Sequence, residues 1–190
     1  MDAVLRGGTL RKKIFAILLA FLLAAVAPLE ASATTVKMVY GTSNQAITIT
    51  LTSLASAGTQ GSAAIDNTTN LYLDALVFVK VKTNAAGTSA TGYVSIYAYG
   101  TADGGTTYSD GVTGTDAAQT LTSPPNLRLV GVCNAVANAT TYSCGPFAVS
   151  PAFSGILPDH WGIVVQNNTG AALDATVGSA WYQGAQAQVI

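Results

Sequence analysis

The sequence predicts an all-β chain. The expected form is a two-sheet β-sandwich, jelly-roll-like, with about eight strands, preceded by an N-terminal signal or anchor helix. Three observations predict it. Thr, Val, Gly, Ala and Asn abound after residue 33, whereas strong helix formers are scarce; β-branched residues are stiff at χ1 and favour strands, and Gly and Asn supply turns. Apolar residues recur with period two in several short runs, and no helix-period pattern is visible there. No repeat of solenoid or propeller length occurs.

Residues 1–33 read as an address. Arg6, Arg11, Lys12 and Lys13 precede an uncharged run, IFAILLAFLLAAVA, and then PLEASA, in which Ala31 and Ala33 bracket Ser32. A basic start, a short apolar stretch and an A-x-A end form a secretory signal peptide. The apolar run would rise only about 21 Å as a helix, short of the roughly 30 Å of a bilayer core. Cleavage is expected after Ala33, with an uncleaved anchor as the alternative. The remaining domain is residues 34–190.

The strands follow in order. Residues 36–40 and 46–52 are β-rich, and in the second Ile47 and Ile49 alternate with Thr48 and Thr50. Residues 53–70 read as a loop. Residues 71–83 form the strongest strand, with Val77, Val79 and Val81 on one face and Phe78, Lys80 and Lys82 on the other. After a turn at 84–91, residues 92–100 point Val94, Ile96 and Ala98 inward, with Tyr93, Ser95, Tyr97 and Tyr99 opposite. Residues 101–116 are a long Asp/Gly/Thr loop. Strands are expected at 127–133, with Leu127 and Leu129 on the face of Cys133, and at 142–149, 161–166 and 179–189. A double-sheet jelly roll buries one face of each sheet. A seven-strand immunoglobulin-like sandwich fits less well, because the two cysteines are close in sequence with no Trp between them.

Composition narrows the function. Charged residues are 9% of the chain and the net charge is -1, so no basic footprint for nucleic acid exists. After residue 33 only Lys37, Lys80, Lys82 and Arg128 are basic, and the acids are all Asp. One histidine and two cysteines cannot make a His/Cys-rich metal centre. His160 is a poor general base: Asp159 is its neighbour, and adjacent residues of an extended segment face opposite ways. No G-x-S-x-G occurs. No enzymatic activity and no cofactor are expected.

Several residues invite a role. Cys133 and Cys144 flank ten residues that read as a hairpin loop, and an oxidising compartment favours their pairing over two facing thiols. Asp103, Asp110 and Asp116 offer weak calcium candidates, although turn-forming Asp-Gly pairs explain the same residues more simply. Tyr93, Tyr97 and Tyr99 form a candidate aromatic face for a glycan, with interface or inter-sheet packing as the alternative. Asn67, Asn138 and Asn167 begin N-x-T triplets.

The runs GYVSIYAYGTADGGTTYSDG, SPPNLRLVGVCNAVANATTYSCGPFAV and LPDHWGIVVQNNTGAAL resemble a family of small β-rich proteins encoded by tailed bacteriophages. The resemblance extends over roughly residues 36–190. It implies a virion structural protein, either a capsid decoration protein or a tail or fibre component. Such a protein is jelly-roll-like and packs on other copies of itself or on capsid or tail proteins. Two other classes fit the residues. One is a secreted cell-surface filament subunit that lends its N-terminal strand to the next copy; the other is a carbohydrate-binding module. Location is accordingly virion, extracellular or periplasmic. Assembly is expected through strand edges, with Val36, Met38 and Tyr40 at one end of the chain and Trp181, Tyr182, Gln186 and Gln188 at the other. Neither terminal strand carries the run of charges that usually guards an edge.

Overall fold

Period-two sequence becomes alternate faces of two antiparallel sheets. The computed structural model describes residues 35–123 and 125–189; the expected signal or anchor segment lies outside them. The strands are β1 (Val36–Tyr40), β2 (Gln45–Ile47), β3 (Thr59–Gly61), β4 (Ile65–Asp66), β5 (Asp74–Thr83), β6 (Tyr93–Thr101), β7 (Ala117–Ala118), β8 (Arg128–Asn134), β9 (Thr141–Ala148), β10 (His160–Asn168) and β11 (Leu173–Val189). One sheet runs β1-β11-β5-β9, and β2 also pairs with β11. The other runs β7-β3-β10-β6-β8, and β4 also pairs with β10.

The chain is therefore an all-β sandwich. β1 and β2 lie end to end along one edge of β11, opposite residues 185–189 and 180–182. β3 and β4 do the same along β10. Eight long runs result, and the short β7 is added beside β3.

The core sits between the sheets. Val77, Val79 and Val81 of β5 face Val94 and Ile96 of β6 and Ile163 and Val165 of β10, all fully buried. Trp161 of one sheet meets Tyr182 of the other edge to face, with ring centroids 5.2 Å apart. Tyr72 packs edge-on to Tyr182 at 6.5 Å. Tyr72 also lies against Gly184, where any Cβ would enter its ring, so that position requires glycine.

Three expectations need correction. Residues 48–52 alternate in burial as read, with Ile49 and Leu51 inside, but they pair with no strand. This segment crosses between the sheets, and its backbone bonds elsewhere: the Thr50 N–H donates to Asp116 at 2.9 Å and the Ala63 N–H to the Thr48 carbonyl at 2.9 Å. Periodicity reports burial and is blind to pairing. Residues 53–70, read as a loop, contain β3 and β4. In β8, a register shift between Ile96 and Tyr97 inserts Val130 as an extra residue. This bulge places Val130 and Cys133 inward, whereas Leu129 is 54% exposed and Leu127 is buried outside the main core. Leu127 and Leu129 therefore do not share the face of Cys133.

Burial sets the cost of truncation. Ile163→Ala should destabilise by about 2–5 kcal/mol in urea unfolding, and Val136→Ala, at an exposed loop site, by less than about 0.5 kcal/mol.

Candidate functional site

The two ends of the sandwich differ in chemistry. At one end, loops 84–92, 135–140 and 169–172 bind one another through polar groups. The Ser89 N–H donates to the Thr169 carbonyl at 2.7 Å, the Ala135 N–H to Gly92 at 2.9 Å and the Ala139 N–H to Asn84 at 2.7 Å. The Thr83 hydroxyl donates to Ala137 at 2.5 Å. Nearby, Cys133 and Cys144 form a disulfide with Cα atoms 5.6 Å apart. The pairing is as expected, but the expected hairpin is absent. β8 pairs with β6 and β9 with β5, so the bond links edge strands of different sheets. Residues 135–140 carry the chain from one sheet to the other.

The opposite end is apolar. β11 runs past β5, whose pairing with it ends at Asp74–Ala185; beyond that point residues 186–189 pair only with β1. A two-stranded ribbon results. Val36, Met38 and Tyr40 stand opposite Val189, Ala187 and Ala185 on one face, and are 62, 63 and 68% exposed. Lys37 and Val39 stand opposite Gln188 and Gln186 on the other. Trp181 is on the face of Val36, stacked on Phe78 at 5.7 Å, whereas Tyr182 points into the core. The terminal residues named from sequence are thus brought together, with Tyr182 as the member that serves the core.

Sequence reading missed the loops beside this ribbon. The Leu73 N–H donates to the Ala185 carbonyl at 2.7 Å, and the Leu157 N–H to Leu73 at 3.1 Å. Asn67 bonds both backbone groups of Tyr72 at 2.9 Å. Between them Leu71 adopts a left-handed φ of 52°, a conformation that costs roughly 1–2 kcal/mol for a residue with a Cβ. Leu71 and Ile156 are each 69% exposed; Ile156, Leu157 and Asp159 are shared by two hollows of about 600 and 350 Å³, and Leu71 lines the smaller. The signal available in sequence was leucine and isoleucine among turn residues, masked at Leu71 and Leu73 by the alternation that continues into β5.

The carboxylates of the long loop are each engaged separately. Asp103 accepts bonds from the Thr101 hydroxyl and from the N–H groups of Thr107 and Thr106, both at 3.0 Å, which hold it well below the usual carboxyl range. Asp110 accepts from Asn126 and Thr122. For Asp116, burial pushes the pKa up, but bonds from Thr50 and Gln60 outweigh it and the net shift is downward. No group of three His, Cys, Asp or Glu side chains is arranged for a metal among the described residues. His160 lies with Nδ1 3.7 Å from Asp159 and Nε2 4.0 Å from Asp66. The Asp159 carboxylate accepts the His160 backbone N–H at 2.7 Å, and Asp66 accepts from Thr68.

The three tyrosines are not equally open. Tyr93 is 40% exposed, Tyr97 is half-buried and Tyr99 is fully buried. Tyr108, Val112, Leu121 and Leu127, from the segment between β6 and β8, pack over Tyr99 and Val164 as a second cluster. Burial raises the Tyr99 phenol to about 12, and its hydroxyl donates to the Ser62 carbonyl at 2.7 Å. Asn67 and Asn167 are buried and hydrogen-bonded to backbone; Asn138 is exposed.

In comparison with known proteins, the chain matches no family model, and no curated protein matches its sequence.

Replacing both cysteines with serine should cost about 3 kcal/mol in the chain-entropy account of a loop of this length, read as a lower urea midpoint; non-reducing peptide mapping should recover the linked pair. Stability should also fall in acid. Asp66, Asp103, Asp110, Asp116 and Asp174 all titrate below the ordinary value of 3.8, Asp174 at about 2 through Thr176 and Lys82. With folded values depressed, the unfolded chain binds more protons, so their contribution is complete above about pH 5 and is lost as pH drops through the folded values. Melting temperature should be flat from about pH 5 to 8 and fall below about pH 4.

Proposed function

We propose that this chain is a non-enzymatic structural subunit of a tailed-phage particle, a capsid decoration protein or a tail or fibre component. One observation carries the reading: the projecting β1–β11 ribbon, in which the outer β1 edge pairs with no other strand among the described residues and Val36, Met38, Tyr40 and Val189 are exposed. Strand edges are templates for another chain, and proteins that remain monomeric guard them with charge. Here Lys37 is the only charge in β1 or in residues 185–189 paired with it. The adjoining Leu71, Leu73 and Ile156 extend the apolar area, and exposed apolar patches of this kind mark interaction surfaces.

The jelly-roll reading belongs with this proposal. With β1/β2 and β3/β4 each counted as one strand, the sheet orders become 1-8-3-6 and 2-7-4-5, and these orders support two nested Greek keys. The disulfide supports an oxidising setting such as a virion surface or an exported protein. Export through residues 1–33, with cleavage after Ala33, is part of the same reading.

A secreted filament subunit is the second reading, favoured by a groove of about 650 Å³ between β8 and β9. It is bordered by Leu129, Val130, Phe147 and Ala148 and by the outer edges of both strands, which pair with no other strand among the described residues, and it offers a place for a strand lent by another copy.

Two variants test assembly by sedimentation. Lys at both Gln186 and Gln188, or deletion of residues 36–40, should leave a folded monomer, whereas wild type assembles equally in low and high salt because screening acts on charges. Full assembly by both variants, or wild-type dissociation in high salt, would refute the ribbon as the contact. In the filament reading, bulky substitution at Ala148 also blocks assembly; in the particle reading it does not.

A further inference from the structure

We propose that the uncovered half of the outer face of the β6 sheet binds a neutral polysaccharide. The face is made by cross-strand rows. Asn168, Tyr93 and Asn134 stand in register; Gln166, Ser95 and Val132 form the next row, and Val164, Tyr97 and Leu129 the third. The covering loop reaches this third row, where half-buried Tyr97 packs against the Val164–Tyr99 cluster and Leu129 at the far edge is 54% exposed. In the outer rows Tyr93 is 40% exposed and Val132 46%.

Three features point to a sugar chain. The two tyrosines share a face four residues apart, about 13 Å along the strand, a spacing that suits a short oligosaccharide lying along β6. Amides and a hydroxyl surround the rings. The Asn168 amide donates to the Gln166 side-chain oxygen at 3.3 Å and approaches the Ser95 hydroxyl at 3.5 Å. Ser95 is buried, Gln166 and Asn168 are half-buried and Asn134 is exposed, so it is the side-chain amides that stand beside the rings, an arrangement that orients a polar ligand on an aromatic surface. No charged side chain stands in any of the three rows. A polyanion or an acidic peptide would find no counter-charge there. A neutral chain of alternating hydroxyl and C–H surface matches both the amides and the rings.

This site is on the opposite sheet from the ribbon, so it is independent of the ribbon contact. Native electrophoresis through gels containing hydroxyethylcellulose, laminarin, galactomannan, glycogen or dextran tests it. Wild type should be retarded in at least one gel, equally in low and high salt. Tyr93→Ala and Gln166→Ala should each weaken retardation about tenfold, with unchanged melting temperature and unchanged sedimentation. Tyr97→Phe should keep binding, and Tyr40→Ala on the other sheet should have no effect. The proposal is overturned by absence of retardation in all five gels, or by retardation that survives the Tyr93→Ala, Gln166→Ala double variant. It is also overturned if that double variant abolishes self-association instead, which would make the face a protein interface. Loss of assembly in the ribbon variants with polysaccharide retardation intact would separate the two surfaces.

Discussion

Everything in this domain depends on closing two sheets over a dry layer. β5 and β11 contribute one side of that layer and β6 and β10 the other. Each strand supplies an apolar side chain at every second position, and the right faces meet only if register is kept. The Trp161–Tyr182 contact lies across the layer. Its partners are fixed by hydrogen bonds outside the layer: the Tyr182 hydroxyl donates to Gln45 at 2.9 Å, which ties β11 to β2 on the sheet edge. A slip of one residue in β11 would exchange Tyr182 for Trp181, and Phe78 would lose its stacking partner.

Much of this layer was legible in sequence because it is a period-two property of single strands. Val77–Val79–Val81 and Val94–Ile96–Ala98 could be assigned faces from alternation alone. What could not be read is long-range. Gln45 is polar and belongs to β2, while Ile49 and Leu51 are apolar and belong to no ladder. The distinction depends on which backbone groups find a strand partner, and Asp116, far along the chain, decides it for Thr50. The Val130 bulge is likewise invisible locally, yet it moves Leu129 to the surface. The disulfide was legible as a pair, but its place between sheets was not, since a ten-residue connection serves a hairpin or a sheet-to-sheet crossing equally well.

The candidate surfaces divide in the same way. The terminal strands announced themselves by lacking guard charges, and the ribbon assembles those residues. Leu71 and Ile156 did not, because their exposure comes from loop geometry. Asn67 takes both backbone bonds of Tyr72 and so forces Leu71 outward with positive φ. An asparagine in an N-x-T triplet thus shapes the apolar end. The tyrosine row was legible as a face, but the division between Tyr99 and Tyr93 depends on how far the loop held by Asp110 and Asn126 reaches across the sheet.

The charge economy of the chain connects these surfaces. Asp66, Asp103, Asp110, Asp116 and Asp174 accept hydrogen bonds from nearby hydroxyl, amide or backbone N–H groups, and Asp174 also pairs with Lys82 at 3.1 Å. The charges are few: after residue 33 the net charge is -3, so the long-range field is small. Such a surface places only a low electrostatic barrier before close approach of like copies. Recognition must then come from short-range terms: strand-edge hydrogen bonds, whose register is fixed by the pleat, and apolar or amide-bearing faces, whose fit is fixed by shape. Such contacts are selective only if the presenting strands are rigid. That rigidity comes from the inter-sheet layer and, beside β8 and β9, from the Cys133–Cys144 bond that joins the two sheets.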